Sequence, residues 1–232
     1  MRTVALFRRD NVPEWLDDGR SIGSLNGLRV GDVLLLKDGG SLLKDQTHMG
    51  ITFGQSTLSH QLGSSSNTTH AGIYDGTAYI LEASGAAGCR SAQLVTKNNY
   101  RYQVWRYSRS KRIPAYAKDV AEQIIHTRQA VNPGQANYSL GPHLGGLLRY
   151  SGRGEGARQA VANLMNDVTA IQQWYCSSFV VACYEVAREM RGFQTPVIDV
   201  DFRFVSPKRL QAALREAGSG WDHVGDYKFT GG

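Results

Sequence analysis

The hydrophobic period of this chain changes near residue 110, and that change restricts the fold more than any other feature. Before it, apolar residues come in short runs broken by Gly, Asp, Asn and Ser; after it they recur at helical spacing. Gly31-Asp32 followed by Val33-Leu34-Leu35-Leu36 predicts a turn entering a buried strand. Strand signals return at 70–74 and 78–83 around Asp75-Gly76, a hairpin signature, and again near 91–96 and 102–107. From Ala115 to Ala130 the spacing of Val120, Ile124 and Ile125 predicts a helix, and further helices are expected over 157–168 and 176–190. The last helix is the best marked, with Ser206 as N-cap, Pro207 at its first position, Leu210, Ala213, Leu214 and Ala217 on one face, and Gly218 to stop it. There is no internal repeat. The expectation is one α+β domain over 1–232, an antiparallel sheet from the first half packed against helices from the second.

At 232 residues and 41% hydrophobic content the chain can bury one core, with room for insertions. Two stretches are irregular: 38–69, which reads as a long loop rich in Gly, Ser, Thr and Asn and of a length common in functional lids and in disordered segments, and the Gly/Pro/Asn-rich connector 132–156. The net charge of +6 favours an anionic partner, whether cell-wall polymer, phospholipid or nucleic acid. The densest basic stretches, Arg8-Arg9 and Arg109-Ser110-Lys111-Arg112, are short, so no nucleic-acid partner is expected. Met1 to Asp10 lacks the apolar core of a signal peptide, and nothing approaches the ~20 apolar residues of a membrane span. The expected product is made in the cytoplasm without a signal peptide or transmembrane segment; action outside the cell would need a signal-independent export route.

The three cysteines, Cys89, Cys176 and Cys183, are an odd count that argues against a disulfide framework. Cys176 and Cys183 lie about 10 Å apart along a helix rising ~1.5 Å per residue, too far to bridge. Cys183 reads as a packing residue, and Cys89, in Gly85-Ala86-Ala87-Gly88-Cys89, as part of a flexible loop, with no role legible from the sequence. Cys176 differs. It falls where a small-residue turn opens an apolar helix, and the unpaired N–H groups of a helix start favour a thiolate.

A nucleophilic thiol needs a base, and His70, in Thr69-His70-Ala71-Gly72-Ile73-Tyr74, is the candidate, with Glu82 to hold its tautomer. Hairpin parity makes this pairing conditional. A two-residue Asp75-Gly76 turn would pair His70 with Leu81 and turn Glu82 away, whereas a three-residue loop with Gly76 left-handed puts His70 and Glu82 on one face. Each residue also has an ordinary reading: a satisfied strand histidine, a core cysteine, a solvent-facing glutamate.

Two other motifs carry less. Gly19-Arg20-Ser21-Ile22-Gly23 matches a serine-hydrolase elbow without the preceding strand or following helix, and Gly152-Arg153-Gly154-Glu155-Gly156 lacks the Lys-Ser/Thr ending of a phosphate loop. His48, His60, His126, His143 and His223 have no metal-ligand spacing, so neither metal nor cofactor is expected.

Thr69-His70-Ala71-Gly72-Ile73-Tyr74, then Glu82-Ala83, then Tyr175-Cys176-Ser177-Ser178-Phe179-Val180 resemble the circularly permuted branch of the NlpC-type papain-like superfamily. That branch includes the YiiX-like bacterial hydrolases and is related to lecithin:retinol acyltransferase. The Gly31-Asp32 turn and Val205-Ser206-Pro207-Lys208-Arg209-Leu210 also resemble that branch, and the likeness spans about 28–215, which implies that 38–69 and 132–156 are insertions. It implies a permuted papain-like fold with Cys176 as nucleophile, His70 as base and Glu82 as orienting residue, the histidine preceding the cysteine because of the permutation. Ser178 stands where relatives often carry an acidic residue or glycine, which bears on substrate preference. The oxyanion hole would include the backbone N–H of Cys176; Gln172, Gln173 and Tyr175 are nearby in sequence, but the sequence assigns none of them as a side-chain donor.

The implied activity is that of a cysteine amidohydrolase or peptidase. Together with the basic charge, the resemblance favours cleavage of peptidoglycan stem peptides. The missing signal peptide is compatible with delivery by a secretion machine, by analogy with some type VI antibacterial effectors that look similar, and an immunity protein or secretion-machine component is the partner that analogy implies. The alternatives are a lipid acyl-ester or thioester hydrolase or acyltransferase, and a non-catalytic binding module.

Overall fold

The computed structural model describes residues 27–37, 68–84, 88–94, 100–131, 155–166 and 174–228. Six strands form one antiparallel sheet: β1 (Val33–Lys37), β2 (Thr68–Tyr74), β3 (Tyr79–Ser84), β4 (Gly88–Gln93), β5 (Arg101–Tyr107) and β6 (Trp221–Lys228), in the order β4-β3-β2-β1-β5-β6. Among the described residues four α-helices accompany it: α1 (Arg112–Val131), α2 (Glu155–Asn166), α3 (Cys176–Met190) and α4 (Pro207–Arg215). The α+β expectation holds. Its division into a first-half sheet and second-half helices does not, because the C-terminal segment returns as β6 and pairs with β5 at the sheet edge. The alternation there is weak, with Asp222, His223, Gly225 and Asp226 among its eight residues, which is why it escapes a period-2 reading.

The central strand explains the run Val33-Leu34-Leu35-Leu36, since both of its faces are covered. Val33 and Leu35 join Ala71, Ile73, Leu81, Ala83 and Trp105 in a core shared with Ile113, Val120 and Ile124 of α1 and Phe179, Val180 and Cys183 of α3. Leu34 and Leu36 join Tyr74, Ile80, Tyr102 and Val104 in a second buried cluster on the other face. The Asp32 carboxylate anchors the start of β1, taking a two-bond fork from Arg106 at 2.8 and 2.6 Å and the Arg29 N–H at 2.8 Å. Burial pushes its pKa up against the pull of Arg106 and Arg29.

α3 runs over the residues expected for it and α4 starts as expected, Ser206 Oγ accepting from the Arg209 N–H at 3.1 Å, but α4 ends at Arg215, before the expected Ala217 and Gly218. Cys89 requires a correction: it lies on β4, opposite Ala83, and is buried in the helix-side core. Gly88, the first residue of β4, has φ of 64°, and β4 starts three residues before the expected 91; residues 85–87 lie outside the described residues. The proposed insertions fall almost wholly outside the described residues, as do the Gly19–Gly23 motif, most of the 152–156 motif, His48, His60, His143, Gln172 and Gln173. No helix among the described residues is long and apolar enough to cross a membrane.

Candidate active site

The β2–β3 connection decides whether His70 and Glu82 meet. Asp75 N–H donates to the Tyr79 carbonyl at 3.1 Å, closing a three-residue loop of Gly76, Thr77 and Ala78. Asp75 Oδ1 organises it by accepting from the N–H groups of Thr77 and Tyr79 at 2.8 and 2.9 Å. Gly76 has φ of 95°, and a Cβ there would lie 2.1 Å from Val30 Cγ2, so only glycine fits. The loop is odd, as the pairing requires. It sits one residue later than a loop starting at Asp75, so Ile73 opposes Leu81 and Tyr74 opposes Ile80. Continuing that register, Glu82 faces Gly72, and His70 is its diagonal neighbour on the same face. A glutamate is long enough to span a diagonal.

It does so. His70 Nε2 and Glu82 Oε2 are 2.8 Å apart, and both side chains are buried. Immediately before His70 the sheet carries a bulge: Leu36 opposes His70 and Lys37 opposes Thr68, leaving Thr69 as the extra residue. Bulges bend a strand and re-aim its side chains beside functional sites.

Cys176 is the first residue of α3, and α3 packs across β2 and β3. Ser178 pins this helix start, its Oγ accepting from the Tyr175 N–H at 3.2 Å and donating to the Tyr175 carbonyl at 2.9 Å. Ser177 Oγ donates to the Val205 carbonyl, tying the same turn to the segment before α4. Beneath it Trp174 packs edge-on against Phe179 and stacks on Phe202. The Cys176 sulfur acts on the His70 imidazole together with Glu82. Burial pulls the imidazole pKa down, yet the charge and hydrogen bonding of Cys176 and then Glu82 outweigh burial and raise it from 6.5 to about 9. Cys176 is 1% exposed and His70 3%.

The other two cysteines stand in a different environment. Burial pushes the Cys89 thiol up to about 12, only partly opposed by Arg128, and raises Cys183 well above its ordinary value. Tyr175 is drawn away from an oxyanion role, its hydroxyl donating to the Phe202 carbonyl at 3.4 Å. Burial and then the neighbouring Cys176 raise its pKa, against a hydrogen bond from the Val205 backbone. His126 on α1 and His223 on β6 lie apart from this constellation, the latter 3.3 Å from Asp226 Oδ1. Among the described residues no group of three or more His, Cys, Asp or Glu side chains could hold a metal ion.

One participant was missing from the sequence reading. Arg90, directly opposite Glu82 on β4, forks onto Glu82 Oε1 through Nε at 3.0 Å and Nη2 at 2.9 Å. A β4 placed at 91–96 leaves Arg90 outside the strand, so the cross-strand pair could not be read. Gly88, whose φ of 64° favours glycine at the start of the strand, is the signal that would have exposed it.

No family model matches this chain, and neither do any curated protein or solved structure.

Proposed function

We propose that this protein is a cysteine hydrolase of the amidase or peptidase type, with a permuted papain-like arrangement in which Cys176 is the nucleophile, His70 the base and Glu82 the orienting residue. The observation that carries the reading is one buried imidazole addressed by both a helix-start thiol and a carboxylate, with Nε2 fixed on Glu82 at 2.8 Å. Nδ1 is then the nitrogen that exchanges a proton with the sulfur. In the proposed cycle His70 takes the thiol proton and Cys176 Sγ attacks the substrate carbonyl. The tetrahedral oxygen is stabilised by the backbone N–H of Cys176 at the helix start. The imidazolium returns its proton to the leaving amine as the C–N bond breaks, giving a thioester. Water, deprotonated by His70, hydrolyses that thioester and restores the thiol.

The net charge of +6 supports an anionic polymer as substrate, and peptidoglycan stem peptides combine that charge with amide bonds. Digestion of purified peptidoglycan, with mass analysis of the released fragments, tests this. Wild-type protein is expected to release stem-peptide fragments that Cys176→Ala does not. Fatty-acid release from phospholipid vesicles without peptidoglycan cleavage would move the assignment to acyl-ester hydrolysis, and activity unchanged in Cys176→Ala would remove the catalytic account.

A further inference from the structure

We infer that Arg90 is a positioning residue of this site, extending the chain of contacts to Cys176, His70, Glu82 and Arg90; the inference rests on the hydrolase reading above. Glu82 is fully buried, and a buried carboxylate needs its lone pairs satisfied to remain an anion. Its two oxygens are divided. Oε2 meets His70 Nε2 at 2.8 Å, while Oε1 receives both Nε and Nη2 of Arg90 at 3.0 and 2.9 Å. Two bonds from a planar fork onto one oxygen resist rotation about the carboxylate's last torsion.

The strands make this division possible. Glu82 and Arg90 are directly opposed, so their side chains rise on the same face, with His70 one diagonal step further in. β4 is an edge strand, and the Arg90 side chain is 39% exposed, so one end of the relay is fixed in the core and the other is braced from solvent. Arg90 therefore acts through Glu82 on the imidazole without touching the reacting atoms. With the Arg90 fork lost, Glu82 resists turning less and the imidazole is held less firmly toward the sulfur, and misplacement of that kind costs on the order of 10–100-fold in rate.

The test is the pH-dependent alkylation of Cys176 by iodoacetamide in the full-length protein, followed by peptide mass analysis. His70→Asn, Arg90→Ala and Arg90→Lys are compared with wild type, each alongside its thermal melting curve. Arg90→Ala is expected to slow Cys176 alkylation about 10-fold, with recovery on adding guanidinium at non-denaturing concentration, and Arg90→Lys to fall between. A tie that merely staples the β3–β4 hairpin would lower the melting temperature without slowing alkylation, or slow it without guanidinium recovery; either result overturns the inference. Should Arg90→Ala not fold, Arg90→Lys decides: its charge is kept and the fork lost, so a wild-type alkylation rate overturns the role. A rate that His70→Asn leaves unchanged overturns the hydrolase reading itself. A His70-dependent rate that Arg90→Ala leaves unchanged overturns only the role of Arg90.

Discussion

Replacing Cys176 by Ala should lower the pKa of His70, and the size of the change reports how strongly thiol and imidazole are coupled. In the wild-type protein burial opposes the charged imidazole, and Cys176 is the first of the groups that oppose burial, ahead of Glu82. The rise from 6.5 to about 9 corresponds to roughly 3 kcal/mol favouring the imidazolium. Alanine removes the larger favourable partner and leaves the desolvation, so His70 in Cys176→Ala should titrate well below its wild-type midpoint. The sign for stability follows. Because the folded value lies above the unfolded one, His70's contribution to stability is complete below pH 6.5 and is lost as pH rises through about 9. In Cys176→Ala that window should contract toward 6.5. The assay is a pH titration of ¹⁵N-labelled imidazole resonances by NMR, assigned with His70→Asn, with urea denaturation across the same range. The wild-type midpoint belongs to the coupled pair, so the comparison between proteins is the informative quantity. A wild-type His70 that titrates near 6.5, or a midpoint that Cys176→Ala leaves in place, would refute the coupling of thiol and imidazole.

Iodoacetamide at neutral pH should modify Cys176 ahead of Cys89 and Cys183, because burial holds those two as thiols; equal modification of Cys89 in peptide maps would contradict this. Gly72→Ala would place a Cβ 2.5 Å from Ile80 Cγ1 and 2.9 Å from the Leu81 carbonyl. The variant should lose about 1–3 kcal/mol in urea denaturation and, since β3 must move, much of its Cys176 reactivity. Asp32→Ala should cost about 3 kcal/mol by leaving Arg106 without its buried partner, yet leave Cys176 alkylation within about twofold of wild type; a large loss of alkylation would tie the β1 turn to the site.

Chemistry-bearing residues were legible where local signals agreed. α3 could be placed because a run of small residues meets an apolar stretch at Cys176, and α4 because Ser206, Pro207 and the Leu210/Leu214 face all indicate one start. β6 was not legible: its partner β5 lies more than a hundred positions earlier, and pairing to a distant edge leaves almost no periodic trace in Trp221–Lys228. Cys89 and Arg90 were lost for a related reason. The β3–β4 hairpin is too short-stranded and small-residued for alternation to show, so its register, which sets both Cys89 inward and Arg90 against Glu82, emerges only from pairing. The bulge at Thr69 leaves no residue signature at all.

The placement of Glu82 is enforced by the core as much as by the site. Leu81 and Ala83 flank it and both belong to the helix-side core. Any one-residue slip of β3 against β2 would expel them and drive Glu82 among Ile73, Val180 and their neighbours, an unpaired charge in an apolar layer. Hydrophobic burial therefore selects the register that brings Glu82 beside His70, and the Gly76–Ala78 loop has only to permit it. Deleting Thr77 separates the two demands. With an even loop the core register can no longer close without distorting Asp75 or Tyr79, so this variant should lose stability and the elevated His70 pKa together. If it kept a wild-type His70 titration, loop parity would not be what holds the pair, and the bulge at Thr69 would have to carry the alignment instead.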